Sequence, residues 1–154
     1  MKNYAEDFLA EIGVQEKQFA ALYRGMASFF SLSDCSMWVL YYLIALPDDV
    51  SQQDLIEKMM FPKQTVNSAV ATLSRKGLVE LFAIPGTRNR KKIILTSEGR
   101  KLAEDTVCKM RRAEHRAAES MGEEKTAQYL ALHREFLKRI QDEFAKEGLP
   151  SAGY

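Results

Sequence analysis

The chain has 154 residues, 46% of them apolar, with 22 Lys and Arg against 21 Asp and Glu. That length fits one domain, or a small domain with dimerising arms, and the apolar share excludes a disordered chain. No run approaches the roughly 18 apolar residues of a membrane-spanning helix. The N-terminus, MKNYAEDFLAEIG, holds acids and no small-residue cleavage site. Neither a membrane segment nor a secretory signal is expected, and the chain is expected to be cytoplasmic.

In chain order, apolar residues first recur at steps of three and four from about Glu6 to Phe30: Phe8, Leu9, Ile12, Phe19, Leu22, Tyr23 and Met26. This predicts an amphipathic helix, with a kink near Gly13. Its stripe is wide for the margin of a small domain, so it is expected to pack against a second chain. Ser33 or Asp34 can cap the next helix, Cys35 to Ala45, which ends at Pro47-Asp48-Asp49. Met37, Trp38, Leu40, Tyr41, Leu43 and Ile44 make it apolar nearly all round, which predicts burial on several sides.

Ser51 is placed to cap a short helix from about Gln52 to Met59, with Leu55, Ile56 and Met59 on one face. The chain breaks at Phe61-Pro62, and proline suits the start of a new helix. That helix is expected from about Lys63 to Lys76, buried along Val66, Ala69, Val70 and Leu73, with Gly77 beyond its end. Two strand-like runs follow, Leu78 to Phe82 and Lys92 to Thr96, around a Pro85-Gly86 turn signal. Thr96 then caps a long helix with a stripe of Ala103, Thr106, Met110, Ala113 and Ala117. Gly122 marks a break. Glu123-Glu124 open a last helix, with Tyr129, Leu132, Phe136, Leu137, Ile140 and Phe144 at threes and fours until Gly148-Leu149-Pro150.

Helix, turn, helix and hairpin make a winged helix-turn-helix. The class expected is α+β, mostly α, with long dimerising terminal helices. The exposed face of the second helix of the pair carries Gln64, Thr65, Asn67, Ser68, Ala71, Thr72 and Arg75. Those side chains are small and polar, and Arg75 alone is charged. Gln and Asn can bond both N6 and N7 of adenine, and Ser and Thr can reach bases or phosphates. The hairpin tip carries Arg88, Arg90, Lys91 and Lys92, which suits phosphate or minor-groove contact. Residues 51–101 hold ten bases and four acids, a net of +6; the remainder holds twelve and seventeen, a net of −5. A basic module between acidic arms is the electrostatic footprint of a DNA binder.

This segment resembles the MarR family of bacterial transcription regulators. The residues that carry the resemblance are Leu55, Pro62-Lys63-Gln64-Thr65-Val66, Leu73 with Lys76-Gly77-Leu78-Val79, the basic wing, and Leu95-Thr96-Ser97-Glu98-Gly99. The helical arms on both sides also match. The wing tip departs from the family: it reads Thr87-Arg88-Asn89-Arg90, without the Asp common there. The resemblance implies a homodimer on a pseudopalindromic double-stranded DNA site, acting as a repressor. Residues 1–31 would form an N-terminal dimerisation helix, 32–98 the DNA-binding module and 99–154 the C-terminal dimerisation helices. Ser51, Gln52, Lys63, Gln64, Thr65, Asn67, Ser68, Thr72 and Arg75 would act in or beside the major groove. Arg88, Arg90 and Lys91 would act at the flanking minor groove or backbone. The resemblance also implies a small aromatic or amphipathic effector between arms and module, where Tyr23, Phe29, Phe30, Trp38, Tyr41 and Tyr42 would line a pocket. Their helical spacing equally fits core.

Other chemistry finds little support. His115 and His133 lie on different helices with no nucleophile motif near either, so no catalytic residues are assigned. Two cysteines 73 positions apart and no CxxC or HxxxH leave no metal signature, and no cofactor is expected. Cys35, in the first turn of a helix, is either a redox-sensing thiolate favoured by the helix dipole or a structural thiol. The rival functions are a winged-helix module that binds protein and not DNA, and a small helical enzyme.

Overall fold

The computed structural model describes residues 3–46 and 50–151. Within them the elements run α1 (Tyr4–Phe29), α2 (Asp34–Ala45), α3 (Gln52–Met59), α4 (Lys63–Arg75), β1 (Val79–Ala83), β2 (Lys91–Leu95), α5 (Ser97–Asp105), α6 (Val107–Met121) and α7 (Glu123–Lys146). The predicted stop at Pro47-Asp48-Asp49 lies outside the described residues.

Local chemistry explains most boundaries. The Ser33 hydroxyl accepts from the Ser36 amide and starts α2. Ser51 and Asp54 form a reciprocal capping box at α3. Met60, in the left-handed region, turns the chain from α3 towards α4. At the far end of α4, Gly77 takes φ +69°. The Leu78 amide then donates to the Leu73 carbonyl and the Gly77 amide to that of Ser74. This double bond closes the helix end and needs a residue without a Cβ at its corner.

β1 and β2 pair antiparallel, Val79 opposite Leu95 and Ala83 opposite Lys91. The hairpin is shifted by one residue from the expected runs. It is also anchored outside itself: the Ile93 amide donates to the Val50 carbonyl at 2.9 Å, and Ser51 bridges to Lys92. The start of α3 is therefore stitched to the base of the wing.

The core lies where α2, α3, α4, the hairpin, α5 and the start of α6 meet. Met37, Leu40, Leu55, Val66, Leu73, Val79 and Val107 are all buried there. α5 seats on the corner after α4. The Thr96 hydroxyl donates to the Gly77 carbonyl at 2.7 Å and accepts from the Gly99 amide at 3.0 Å. A Cβ on Gly99 would fall on the Leu78 carbonyl; only glycine lets the helix approach that closely.

Two expectations change. α1 runs unbroken through Gly13, because an isolated glycine weakens a helix without having to bend it. The single long helix after Thr96 is interrupted at Thr106, whose φ −124° and ψ −94° leave the helical region. The Thr106 hydroxyl donates to the Leu102 carbonyl at 2.6 Å, a local bond that competes with the helix backbone. No single helix among the described residues is long and apolar enough to cross a membrane.

Candidate DNA-binding face and arm cavity

The turn between α3 and α4 sets the two helices beside the wing. A groove of about 450 Å³ runs between them, lined by Gln52, Lys63, Asn67, Arg88, Arg90 and Lys91 among others. Half of the residues expected at DNA thus share one concave surface. Gln64, Thr65, Ser68 and Arg75 are exposed along α4, and Thr72 is half-buried beneath the Arg75 guanidinium, which donates to its hydroxyl at 3.1 Å.

Three of the expected contacts sit differently from a free polar surface. Ser51 is 1% exposed, and its hydroxyl donates to Asp54 Oδ2 and accepts from the Asp54 amide. Its side chain is a helix cap and is not available to DNA. Arg90 is tied back: its guanidinium donates to Ser51 Oγ at 3.2 Å and to Asp54 Oδ1 at 3.3 Å. Half of the side chain remains exposed, so Arg90 holds the wing on the α3 cap and keeps donors to spare. The Ser51 hydroxyl and amide, and then Arg90, hold the Asp54 carboxyl below its usual range. Asn67 is half-buried, and its Oδ1 accepts from Gln52 Nε2 at 2.6 Å. Gln52 and Asn67 therefore form one polar unit spanning both helices. Arg88 and Lys91 are exposed, with no hydrogen bond or ion pair among the described residues.

On the other side of the module, α1, α2 and α7 enclose a cavity of about 620 Å³. Of the six aromatics expected to line a pocket, Tyr23 and Trp38 do, joined by Phe19 and Tyr129. The other four do not line it. Phe29 is 78% exposed on the outside of α1. Phe30 packs edge-on to Phe29 and against the core. Tyr42 packs on Trp38 and Tyr41. Tyr41 is turned to α6, where its hydroxyl donates to Glu114 Oε2 at 2.7 Å beneath the Arg111 guanidinium. Tyr23 donates to the other oxygen, Oε1, at 2.6 Å. One carboxylate thus ties α1 and α2 to α6. Burial first, and then the Glu114 bond, pushes the Tyr23 phenol up, and the same causes push Tyr41 to about 12. Both remain donors at neutral pH. Nothing in the sequence spacing singles out Glu114, because the helix face it shares is otherwise polar.

The helix dipole does not make Cys35 a thiolate. The side chain is buried, and burial first and the neighbouring Asp34 carboxylate second push its thiol up to about 11. The redox reading loses its physical basis. Cys108 is also buried, its thiol likewise raised. Among the described residues no group of three His, Cys, Asp or Glu is placed to hold a metal.

Comparison with known proteins agrees with this geometry. A search of curated proteins found no match. Among solved structures the chain is similar to NMB1585, a MarR family regulator from Neisseria meningitidis, at TM-score 0.76 and 20% identity, covering 90% of this chain and 97% of that one. It is also similar to MepR of S. aureus in a complex with DNA, at TM-score 0.65 and 22% identity, covering 82% and 96%. NadR in complex with 4-hydroxyphenylacetate matches at TM-score 0.65 and 21% identity, covering 81% and 89%. A family model described as the MarR family matches residues 31–88, the segment from the end of α1 to the wing tip. With the helix pair, the basic wing and the flanking arms in place, the chain belongs to the MarR family of transcription regulators.

Proposed function

We propose that the protein is a homodimeric repressor that binds a pseudopalindromic double-stranded DNA site and is released by a small-molecule effector. The observation that carries this reading is the groove shared by α3, α4 and the wing, which joins cations to neutral polar donors. Cations supply attraction that ignores sequence, and neutral amides and hydroxyls supply base discrimination. Gln52, Lys63, Gln64, Thr65, Asn67, Ser68, Thr72 and Arg75 act at the major groove. Arg88 and Lys91 contact the flanking backbone or minor groove, with Arg90 orienting the wing. The MepR complex is a precedent for DNA on this fold, and the NadR complex for a small ligand.

Residues 1–31 and 99–154 serve as dimerisation segments around a module at 32–98. Support comes from apolar faces of α1 and α7 that one chain leaves open: Phe19, Leu22, Leu132 and Leu137 are all more than half exposed. A symmetric pair would cover those faces and present two recognition helices to successive major grooves, about 34 Å apart.

The test begins with selection of bound genomic fragments, then compares the selected site with scrambled DNA at matched salt. Gln64→Ala and Ser68→Ala should weaken the selected site by about 1–3 kcal/mol for each good base contact and spare scrambled DNA. Arg88→Ala should weaken both and lower the salt slope by about one unit. If none of the three changes affects either DNA, the helix pair is not the reader, and the protein-binding reading replaces this one.

A further inference from the structure

We propose that the arm cavity takes an aromatic cation, an arylalkyl amine whose ammonium is held by Asp34 against the rings of Phe19, Tyr23 and Trp38. The inference rests on the effector reading above and adds the charge of the ligand. The cavity, at about 620 Å³, lies within the range of small-molecule sites. Asp34, the first residue of α2, is part of its wall, and the Asp34 Oδ1 atom is buried with no hydrogen-bond partner. A buried carboxylate oxygen without a donor is costly, so the site is completed by a group that brings N–H or positive charge.

Three rings stand next to it. Phe19 and Tyr23 have centroids 5.0 Å apart, and Tyr23 and Trp38 also 5.0 Å. Aromatic faces carry negative potential and attract ammonium groups. Two further full charges border the cavity, Glu16 and Arg24, and both are exposed. They are opposite in sign and screened by solvent, so their net field inside is small. His133, at the same edge, is exposed as well. Arg24 could pair with a ligand carboxylate, but an exposed pair contributes little, and the carboxylate would face the buried Asp34. The buried charge decides the preference. The Tyr23 hydroxyl, already given to Glu114, leaves Asp34 as the polar group free to fix orientation.

The experiment uses the full-length protein and two charge-reversed pairs: 4-hydroxyphenethylamine with 4-hydroxyphenylacetate, and 2-naphthylethylamine with 2-naphthylacetate. Calorimetry reads binding, and release of the selected DNA reads function. At least one amine should bind roughly tenfold more tightly than its acid partner. Asp34→Asn should remove that preference, with a ligand-free melt to establish that the variant is folded; the wild-type preference stands as a measurement that needs no variant. Acids binding as well as amines, amines unaffected by Asp34→Asn, or no binding by either pair would each overturn the proposal. An acid that binds and releases DNA would overturn the charge assignment and leave the effector reading intact. An amine that binds with the predicted preference and leaves DNA affinity unchanged would support the charge assignment and overturn the effector reading.

Discussion

The winged module and the arms are both built from amphipathic helices, but they dispose of their apolar faces differently. In the module Met37, Leu40, Leu55, Val66 and Leu73 are at most 1% exposed. In the arms Phe19, Leu22 and Leu132 are about 60% exposed, and α7 has no buried residue over its 24 positions. The contact that ties α7 to α1 within one chain is thin, exemplified by Phe8 edge-on to Phe136 at 4.9 Å. The same three-and-four spacing therefore writes two kinds of face, one closed by its own chain and one that needs a second. Contiguous exposed apolar surface of this kind marks an association site. Stability should follow the same division: the module's contribution is intramolecular, and the arms' depends on protein concentration.

The largest effect is expected where that division is sharpest. Leu132→Asp removes almost nothing from the single chain, since Leu132 is 59% exposed. If α7 pairs with a second chain, the variant should lose the dimer entirely and be recovered aggregated or unfolded. Sedimentation of the wild-type chain as a folded, monodisperse monomer would break the comparison outright.

Leu73→Ala probes the closed side. Leu73 is 1% exposed in the core, and truncation should cost about 2–5 kcal/mol. Urea unfolding at fixed protein concentration should show a lower midpoint at unchanged slope. A loss below about 1 kcal/mol would mean that the module core adjusts as freely as a surface.

Gly99→Ala tests whether the α5 start is as tightly seated as the Leu78 carbonyl contact implies. The added methyl must push α5 off the corner after α4, at about 1–3 kcal/mol. The same change at Gly25, where a Cβ meets nothing within 4 Å, should be neutral or slightly stabilising. Equal outcomes at the two glycines would remove the distinction between a seated helix and an open one.

The smallest effect concerns the wing anchor. The Asp54 carboxyl is held low in the folded chain, by Ser51 first. Its contribution is therefore fully present above the ordinary carboxylate pKa of about 4 and is lost as pH falls through the lower folded value. Below about pH 4, amide exchange at Arg90 to Ile93 should accelerate before exchange in α4 does. Simultaneous acceleration of both would mean that the wing has no local anchor of its own.

Much of the architecture is legible in the sequence because its determinants are local. Ser51, Thr96, Gly77 and Gly122 mark helix ends within a residue or two, since a cap acts on amides and carbonyls of the same turn. The hydrophobic stripe of α4 was readable for the same reason: Val66, Ala69, Val70 and Leu73 share a face by helical geometry alone, and all four are buried. The basic wing and the neutral face of α4 follow from composition in a short window.

Tertiary structure decided which of those side chains remain available. Arg90 lies 39 and 36 residues from the Ser51 and Asp54 that hold it, and Gln52 lies 15 from Asn67. Glu114 reaches Tyr23 across 91 positions and Tyr41 across 73. No periodicity encodes such pairs, because they depend on how whole elements pack. The same holds for Cys35. Its position at a helix start was readable, but the sign of its shift was set by burial, which outweighs a terminal dipole once the thiol is out of water. Sequence determined the helices, their ends and their stripes through forces that act within a turn; packing over long separations decided which polar groups are occupied, which apolar faces stay open and which carboxylate is left alone in a cavity.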